Sequence, residues 1–455
     1  MNNTTIAAVS TAQGEGGIGV IRISGDEAIA VADRVFQNIR HKPLSEMKGY
    51  TAAFGKIVSR GEPLDEAVAL VFRAPHSYTG EDVVELSCHG GVYITRQVLR
   101  AVFEAGAVPA QAGEFTKRAF LNGKLDLTEA ESVMDIISAK SRSAARAALS
   151  VKEGALSRRI NAVKDSLLDL AAHLAAWADY PEEDISEVTD SSILTVCRSA
   201  ERELENLLST YDSGQAVMQG IDTVIAGRPN VGKSTLMNLL SGYEKSIVTE
   251  IPGTTRDVVE DTVAAGDVIL RLSDTAGLRD TGDRVEQIGV ERAKQRLESC
   301  GLLLAVFDNS RALEDFDFHL LEAAKSVPTI AIINKTDLPN ELDISTISNS
   351  IDKIVYISAS TGEGKDELIG AIADLAGTDR FDPGAGILSN ERQRLNASSA
   401  LRSVKEAAAA LEAGLTFDAV TVTLEEAIDA LLEMTGDKAS DEIIDRVFHN
   451  FCVGK

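Results

Sequence analysis

The chain has 455 residues, a formal net charge of −25 and 44% hydrophobic residues. Its length predicts two to four domains, and no stretch approaches the roughly 20 uninterrupted apolar residues of a membrane span. The acidity argues against a broadly basic nucleic-acid surface, so any contact with RNA has to be local, shared with a partner or built on a dimer.

Met1–Thr5 lacks the basic-then-apolar layout of a signal peptide. Residues 1–120 alternate apolar and polar positions in short runs such as Gly19–Ser24 and Asp82–Ser87. Turn residues punctuate them, and one helix is predicted over Val92–Glu104, an α+β pattern. Gly14–Gly19 formally fits the dinucleotide fingerprint G-x-G-x-x-G, but that fingerprint needs a helix next and Val20–Ser24 alternates like a strand, so the reading is rejected. Residues 121–217 turn helical, with periodic stretches at Ala144–Ala155 and Ile160–Trp177 interrupted by the acidic turn Asp179–Asp184. Strands then alternate with helices over residues 218–379, predicting a mainly parallel sheet. Helical character returns over 380–455, through Glu391–Leu415 and Leu424–Glu433; the alanine tetrad Ala407–Ala410 is simply helix. Two helical stretches flanking one βα unit predict an α/β domain inserted into an α-helical central domain.

The octapeptide Gly227–Ser234 fits G-x-x-x-x-G-K-[ST] between a strand (Asp222–Ala226) and a helix start (Thr235–Leu240). In that context Asn230, Val231, Gly232, Lys233, Ser234 and Thr235 would cradle nucleotide phosphates. Lys233 would reach the β/γ-phosphates and Ser234 would hold Mg²⁺. Further elements follow in the order a guanine-nucleotide domain requires. Gly253–Asp257 carries Thr254 and Thr255, one placed to cap Mg²⁺; Val268–Asp274 ends in Asp274, Thr275, Ala276 and Gly277; Thr329–Ile333 delivers Asn334, Lys335 and Asp337; Ile354–Ile357 leads to Ser358, Ala359 and Ser360. The Asp337 carboxylate can accept both donors on the guanine edge, a pair that adenine lacks. Together these motifs define a P-loop GTPase domain. The position after Gly277, where Ras-type GTPases carry a water-orienting Gln, is Leu278, which cannot bind water. Arg279, Asp280, Asp283, Arg284 and Glu286 are the nearby polar candidates for that work.

With the N-terminal Gly16–Gly25 segment and the terminal Phe451–Lys455, these motifs make the chain resemble, over essentially its full length, the MnmE (TrmE) family of tRNA-modification GTPases. The resemblance implies a folate-binding, dimerising N-terminal domain, a helical domain and the inserted G domain. It implies a constitutive homodimer whose G domains meet on binding GTP, and K⁺-activated hydrolysis coupled to modification at C5 of the wobble uridine of certain tRNAs. A MnmG-type partner would supply FAD. Residue by residue, it assigns K⁺ ligation to Asn230, Thr249, Ile251 and Thr254, with Thr249 also at the nucleotide, and water positioning to Glu286, beside Lys233 and Gly277 in catalysis. It assigns contacts with 5-formyl-tetrahydrofolate or a related folate to Arg22, Glu85, Lys124 and Lys455. Lys455, read as a cation on a flexible terminus, can meet the glutamyl carboxylates of a folate.

Cys452 reads on its own as a small packed hydrophobe; the resemblance moves it toward the modification site with its chemical role open. Cys88, Cys197, Cys300 and Cys452 show neither metal-ligand nor disulfide spacing, which predicts a reduced cytoplasm, and His89 reads as structural. The alternative function is a GTP-dependent switch for RNA or ribosome assembly with no part in base chemistry, since G domains serve many ends. Folate binding by the first 120 residues separates the two.

Overall fold

The computed structural model describes residues 4–179, 189–241, 261–272, 300–379 and 381–455. The chain opens with β1 (Ile6–Val9), β2 (Ile18–Ser24), α1 (Ala28–Val35), β3 (Phe36–Asn38), β4 (Thr51–Ser59), β5 (Glu62–Phe72), β6 (Val83–His89), α2 (Val92–Glu104), β7 (Val108–Pro109) and α3 (Glu114–Leu121). The strands form one seven-stranded sheet in the order β3-β4-β5-β6-β2-β1-β7. Side chains alternate across a sheet, so Ile21, Ile23, Ala69, Val71, Val84 and Leu86 share the face that α1 and α2 cover. The opposite face carries Phe54, Val68, Ser87 and Val20 in one cross-strand row. The glycine segment 14–17 runs into strand β2, not a helix.

Helices α4 (Leu127–Ser138), α5 (Arg142–Lys152), α6 (Ala155–Asp179), α7 (Asp190–Ser209) and α8 (Tyr211–Met218) follow. The stretches expected over Ala144–Ala155 and Ile160–Trp177 are α5 and α6, the first overrunning the end of α5 at Lys152. Gly154 takes φ +80°, a conformation that glycine adopts without strain, and turns the chain between α5 and α6.

The α/β part comprises β8 (Ile221–Ala226), α9 (Lys233–Ser241), β9 (Asp261–Ala265), β10 (Val268–Leu272), β11 (Leu302–Asp308), α10 (Asp315–Ala323), β12 (Thr329–Asn334), α11 (Ile344–Ser348), β13 (Lys353–Tyr356) and α12 (Lys365–Leu375). Its sheet runs β13-β12-β11-β8-β10-β9 and is parallel except for the β9–β10 pair. β11 and β12 are buried along their whole length, as strands covered on both faces must be.

The helical part resumes with α13 (Glu391–Glu412), α14 (Phe417–Thr435) and α15 (Asp441–His449). Leu156, Leu167 and Leu174 of α6, Cys197 and Leu204 of α7, Val404 and Ala407 of α13, and Leu424 and Leu431 of α14 form one core. The chain enters and leaves the α/β part side by side. Gln215 Nε2 of α8 donates to the Ser389 carbonyl (2.7 Å), Tyr211 Oη donates to Glu391 (3.3 Å), and the Ala385 and Gly386 carbonyls accept from Arg159 of α6. Entry and exit lying together is the geometry an insertion needs. Among the described residues no helix is long and apolar enough to cross a membrane.

Candidate functional site

The turn between β8 and α9 is the Gly227–Ser234 loop. Asn230 takes φ +65° and Gly232 φ +99°, so the loop curls and presents its backbone at the start of α9. Lys233 Nζ lies across the loop and donates to the Gly227 and Arg228 carbonyls, both at 2.8 Å. Arg228 is anchored outward by Asp317 (3.2 Å) and Glu314 of the α10 start. The side chains of Asn230, Ser234 and Thr235 are exposed, while Val231 is buried beneath the loop. Exposed oxygens at Asn230 and Ser234, beside a helix N-terminus, suit hard cations bridging to phosphate.

The end of β12 is stitched to this loop by Asn334. Its Nδ2 donates to the Val231 carbonyl (2.7 Å) and its Oδ1 accepts from Ala359 N–H (3.0 Å). One buried carboxamide thus joins the phosphate loop to the loop after β13. Ser358 Oγ donates to Asp337 Oδ1 (2.6 Å) and lies 3.0 Å from Ser360 Oγ, which orients the carboxylate. Lys335 takes φ +67° and pairs through Nζ with Asp308 Oδ2 at 2.7 Å. Burial alone would push the Asp308 carboxyl up; hydrogen bonds from Lys335 and Ser310 outweigh it and hold the group below its ordinary value.

A second cluster lies on the open face of the seven-stranded sheet. Arg22 and Glu85 are cross-strand partners on β2 and β6 and form an ion pair at 2.8 Å. The Arg22 guanidinium stands over the Tyr78 ring (5.4 Å) and the Phe115 ring (5.6 Å). The segment Phe451–Lys455 docks here. Gly113 N–H donates to the Cys452 carbonyl (3.4 Å) and Phe115 N–H to the Lys455 carbonyl (3.2 Å), while Ser10 Oγ donates to Gly454 O (3.1 Å). The tail is therefore pinned, and the flexible-terminus expectation for Lys455 is corrected. Burial, then the nearby Arg22 cation, pushes the Lys455 ammonium below its ordinary value, with Glu85 opposing. Lys124 takes a partner outside this trio, its Nζ donating to the Pro75 carbonyl at 3.2 Å. Cys452 is exposed, which corrects the packed-hydrophobe reading; Phe448 and Phe451 beside it are the buried residues.

The family model "MnmE helical domain" matches residues 127–452, and "GTP-binding protein TrmE N-terminus" matches residues 5–124. A tRNA modification GTPase MnmE of Clostridioides difficile is 40% identical over 99% of this chain and 99% of its own. The Symbiobacterium thermophilum counterpart is 43% identical over 100% of both. The chain belongs to the MnmE family. Among solved structures, the G domain of T. maritima FeoB aligns at 26% identity over 34% of this chain and 98% of that one, with a TM-score of 0.26.

Of the site residues expected from sequence, Asn230–Thr235, Asn334, Lys335, Asp337 and Ser358–Ser360 gather at one end of the α/β sheet, and Arg22, Glu85 and Lys455 at one place on the other sheet. Thr249, Ile251, Thr254, Thr255, Asp274, Thr275, Ala276, Gly277, Leu278 and Glu286 lie outside the described residues. Sequence reasoning missed Asp308, although an acid directly after the apolar run Leu302–Phe307 was a visible signal. It also missed Tyr78, whose hydroxyl is tied to Thr116 Oγ1 (2.8 Å) beneath Arg22, and no local pattern marks that residue. His89 pairs with Asp65 at 2.6 Å, a hydrogen bond that raises the imidazole's affinity for its proton.

Proposed function

We propose that this chain is a K⁺-activated GTPase whose cycle drives modification of C5 of the wobble uridine in certain tRNAs, working in the cytoplasm with a MnmG-type FAD protein. The observation that carries the nucleotide reading is the Asn334 bridge with the Ser358–Asp337 hydrogen bond. A carboxylate held in place can accept guanine N1–H and the 2-amino group together, while an adenine would leave it unpaired. The phosphates would lie on the Gly227–Ser234 loop with Lys233 on the β/γ pair. Mg²⁺ would be held by Ser234 and Thr255, and K⁺ by Asn230, Thr249, Ile251 and Thr254. These cations supply charge stabilisation where an arginine finger serves other GTPases. Since Leu278 cannot bind water, Glu286 is assigned to position it. The full-length match to relatives named as tRNA modification GTPases supports this over an assembly switch.

We further propose the division 1–120, 121–217, 218–379 and 380–455, and a homodimer through the open sheet face. Phe54 is 48% and Val68 41% exposed there, in the row next to Arg22 and Glu85. A second copy would cover this apolar row and close over a folate held by Arg22, Glu85, Lys124 and Lys455. Cys452, beside that pocket, would face the chemistry.

GTP turnover measured in K⁺ and in Na⁺ tests the central reading: turnover should be faster in K⁺, and equal rates would remove the potassium site. Glu286→Ala should cut turnover by about 10²-fold or more while nucleotide affinity survives.

A further inference from the structure

In a chain of net charge −25, residues 139–159 carry six cations (Lys140, Arg142, Arg146, Lys152, Arg158, Arg159) against one acid, Glu153. Arg159 is used internally, paired with Glu203, and Arg158 donates to the Glu153 carbonyl. Lys140, Arg142 and Arg146 are exposed at the α4–α5 corner and have no acidic partner among the described residues. Their placement works against the helix they sit on. Lys140 and Arg142 flank the Ser141 N-cap of α5, whose first turn holds no acid, so two cations crowd the positive end of the helix dipole. Arg142 and Arg146 stand at i, i+4, a like-charge spacing that destabilises a helix. Exposed Ile137 and Leu149 border the same corner. Local rules broken without an internal compensation mark a functional surface.

The other comparably basic run, Arg40 to Lys56, has a structural use. It flanks β3, the edge strand of the seven-stranded sheet, where charge guards an unpaired edge. The α4–α5 corner guards no edge. The far end of α5 reaches the connection to the α/β part, where Ser150 Oγ donates to the Gly384 carbonyl in the exit segment (2.9 Å).

We infer that Lys140, Arg142 and Arg146 dock the phosphate backbone of the tRNA substrate. This rests on the proposed tRNA function and names the local contact that an acidic chain requires. Three cations gathered at a helix N-terminus suit a polyanion, and the surrounding negative charge confines binding to this corner. Docking at the start of α5 would place RNA on the helix whose far end holds the exit segment.

The test is binding of labelled tRNA to the full-length chain, followed by fluorescence anisotropy between about 50 and 200 mM salt. Lys140→Ala, Arg142→Ala and Arg146→Ala combined should weaken binding about 10-fold or more and flatten the log–log salt slope by about 3, one for each phosphate that is no longer neutralised. The same substitutions at Arg40, Lys42 and Lys56 should change neither. Thermal unfolding of the corner variant should match or exceed that of the parent, since a like-charge pair is removed, and basal GTP turnover should be unchanged. Unaltered affinity and slope in the corner variant would overturn the inference while leaving the tRNA function intact. Salt-dependent tRNA binding absent from the parent chain would overturn it together with direct RNA contact, with GTP turnover still standing. Failure of the corner variant to capture an acidic partner protein, with tRNA binding retained, would assign the corner to that partner instead and overturn the RNA inference.

Discussion

Gly232 has two constraints that no other residue type meets together. Its φ of +99° lies where L side chains are strained, and a Cβ there would collide with the Asn334 carboxamide. The close approach is what allows Asn334 Nδ2 to reach the Val231 carbonyl, so the glycine and the asparagine form one device linking phosphate loop to base loop. Gly232→Ala should therefore break both ends of the nucleotide site at once. Backbone strain alone costs about 1–3 kcal/mol, and freeing Asn334 leaves the Ala359 N–H and the Val231 carbonyl without partners. GTP affinity should fall by about 10-fold or more, read by nucleotide titration. A retained affinity would show that the loop closes on phosphate without the asparagine bridge.

At the level of elements, α4 joins the parts of the chain. Glu131 accepts from Arg392 Nε and Nη2, both at 2.8 Å, and from Gln393 Nε2 at 2.7 Å, while Arg392 also donates to the Glu433 and Met434 carbonyls at the end of α14. One helical turn further on, burial pushes the Asp135 carboxyl up to about 6, with a Ser389 hydrogen bond opposing and the Glu131 charge adding to the rise. Raised folded affinity for the proton means the native state binds more protons than the unfolded chain between about pH 4 and 6, so stability falls as pH rises through that window. Asp135→Asn should remove the penalty: near pH 4 the two proteins should be equally stable, and at pH 8 the variant should gain up to about 3 kcal/mol. Trp177 is the single tryptophan and packs on Phe417 within the helical core, so its fluorescence during denaturation reports this unit. A gap that does not change with pH would exclude Asp135 as its source. None of this clasp was legible in sequence, because Glu131 and Arg392 lie 261 positions apart and no periodicity links them. Elements with strong local signals were legible: α2 spans the residues its pattern marks, and the base-binding motifs sit at strand ends as their spacing requires. The helices α5 and α6 were legible as separate stretches, and only the end of α5 was misplaced, because Ala-rich periodicity runs on to Ala155 through Gly154. Tyr78 was missed for the same reason as the clasp, since its role comes from partners distant in sequence.

Across the whole molecule, the last five residues return to the first strands. Gly454 O accepts from Ser10 Oγ, and Ala112 bridges Val453, so the helical part is tied to the N-terminal sheet by a peptide that also delivers Lys455 beside Arg22 and Glu85. The tail can take this path only with glycine at 454, where φ is +99° and a Cβ would collide with the Val9 carbonyl. Gly454→Ala should lift the tail from β1 and withdraw the Lys455 cation, a change in pocket charge and not in the nucleotide site. A charge-assisted contact contributes about 1.5–3 kcal/mol, so affinity for 5-formyl-tetrahydrofolate should drop roughly 10- to 100-fold, as read by calorimetric titration of the full chain. Basal GTP turnover should be preserved, because Gly227–Ser234 and Asn334 lie on a different sheet. Lys455→Met supplies the complementary case: it keeps the tail docked through its backbone hydrogen bonds and removes only the cation. If both variants lose folate binding equally, the tail acts by delivering charge. If only Gly454→Ala does, the tail's contribution is the wall it builds over Arg22, and the cation is dispensable.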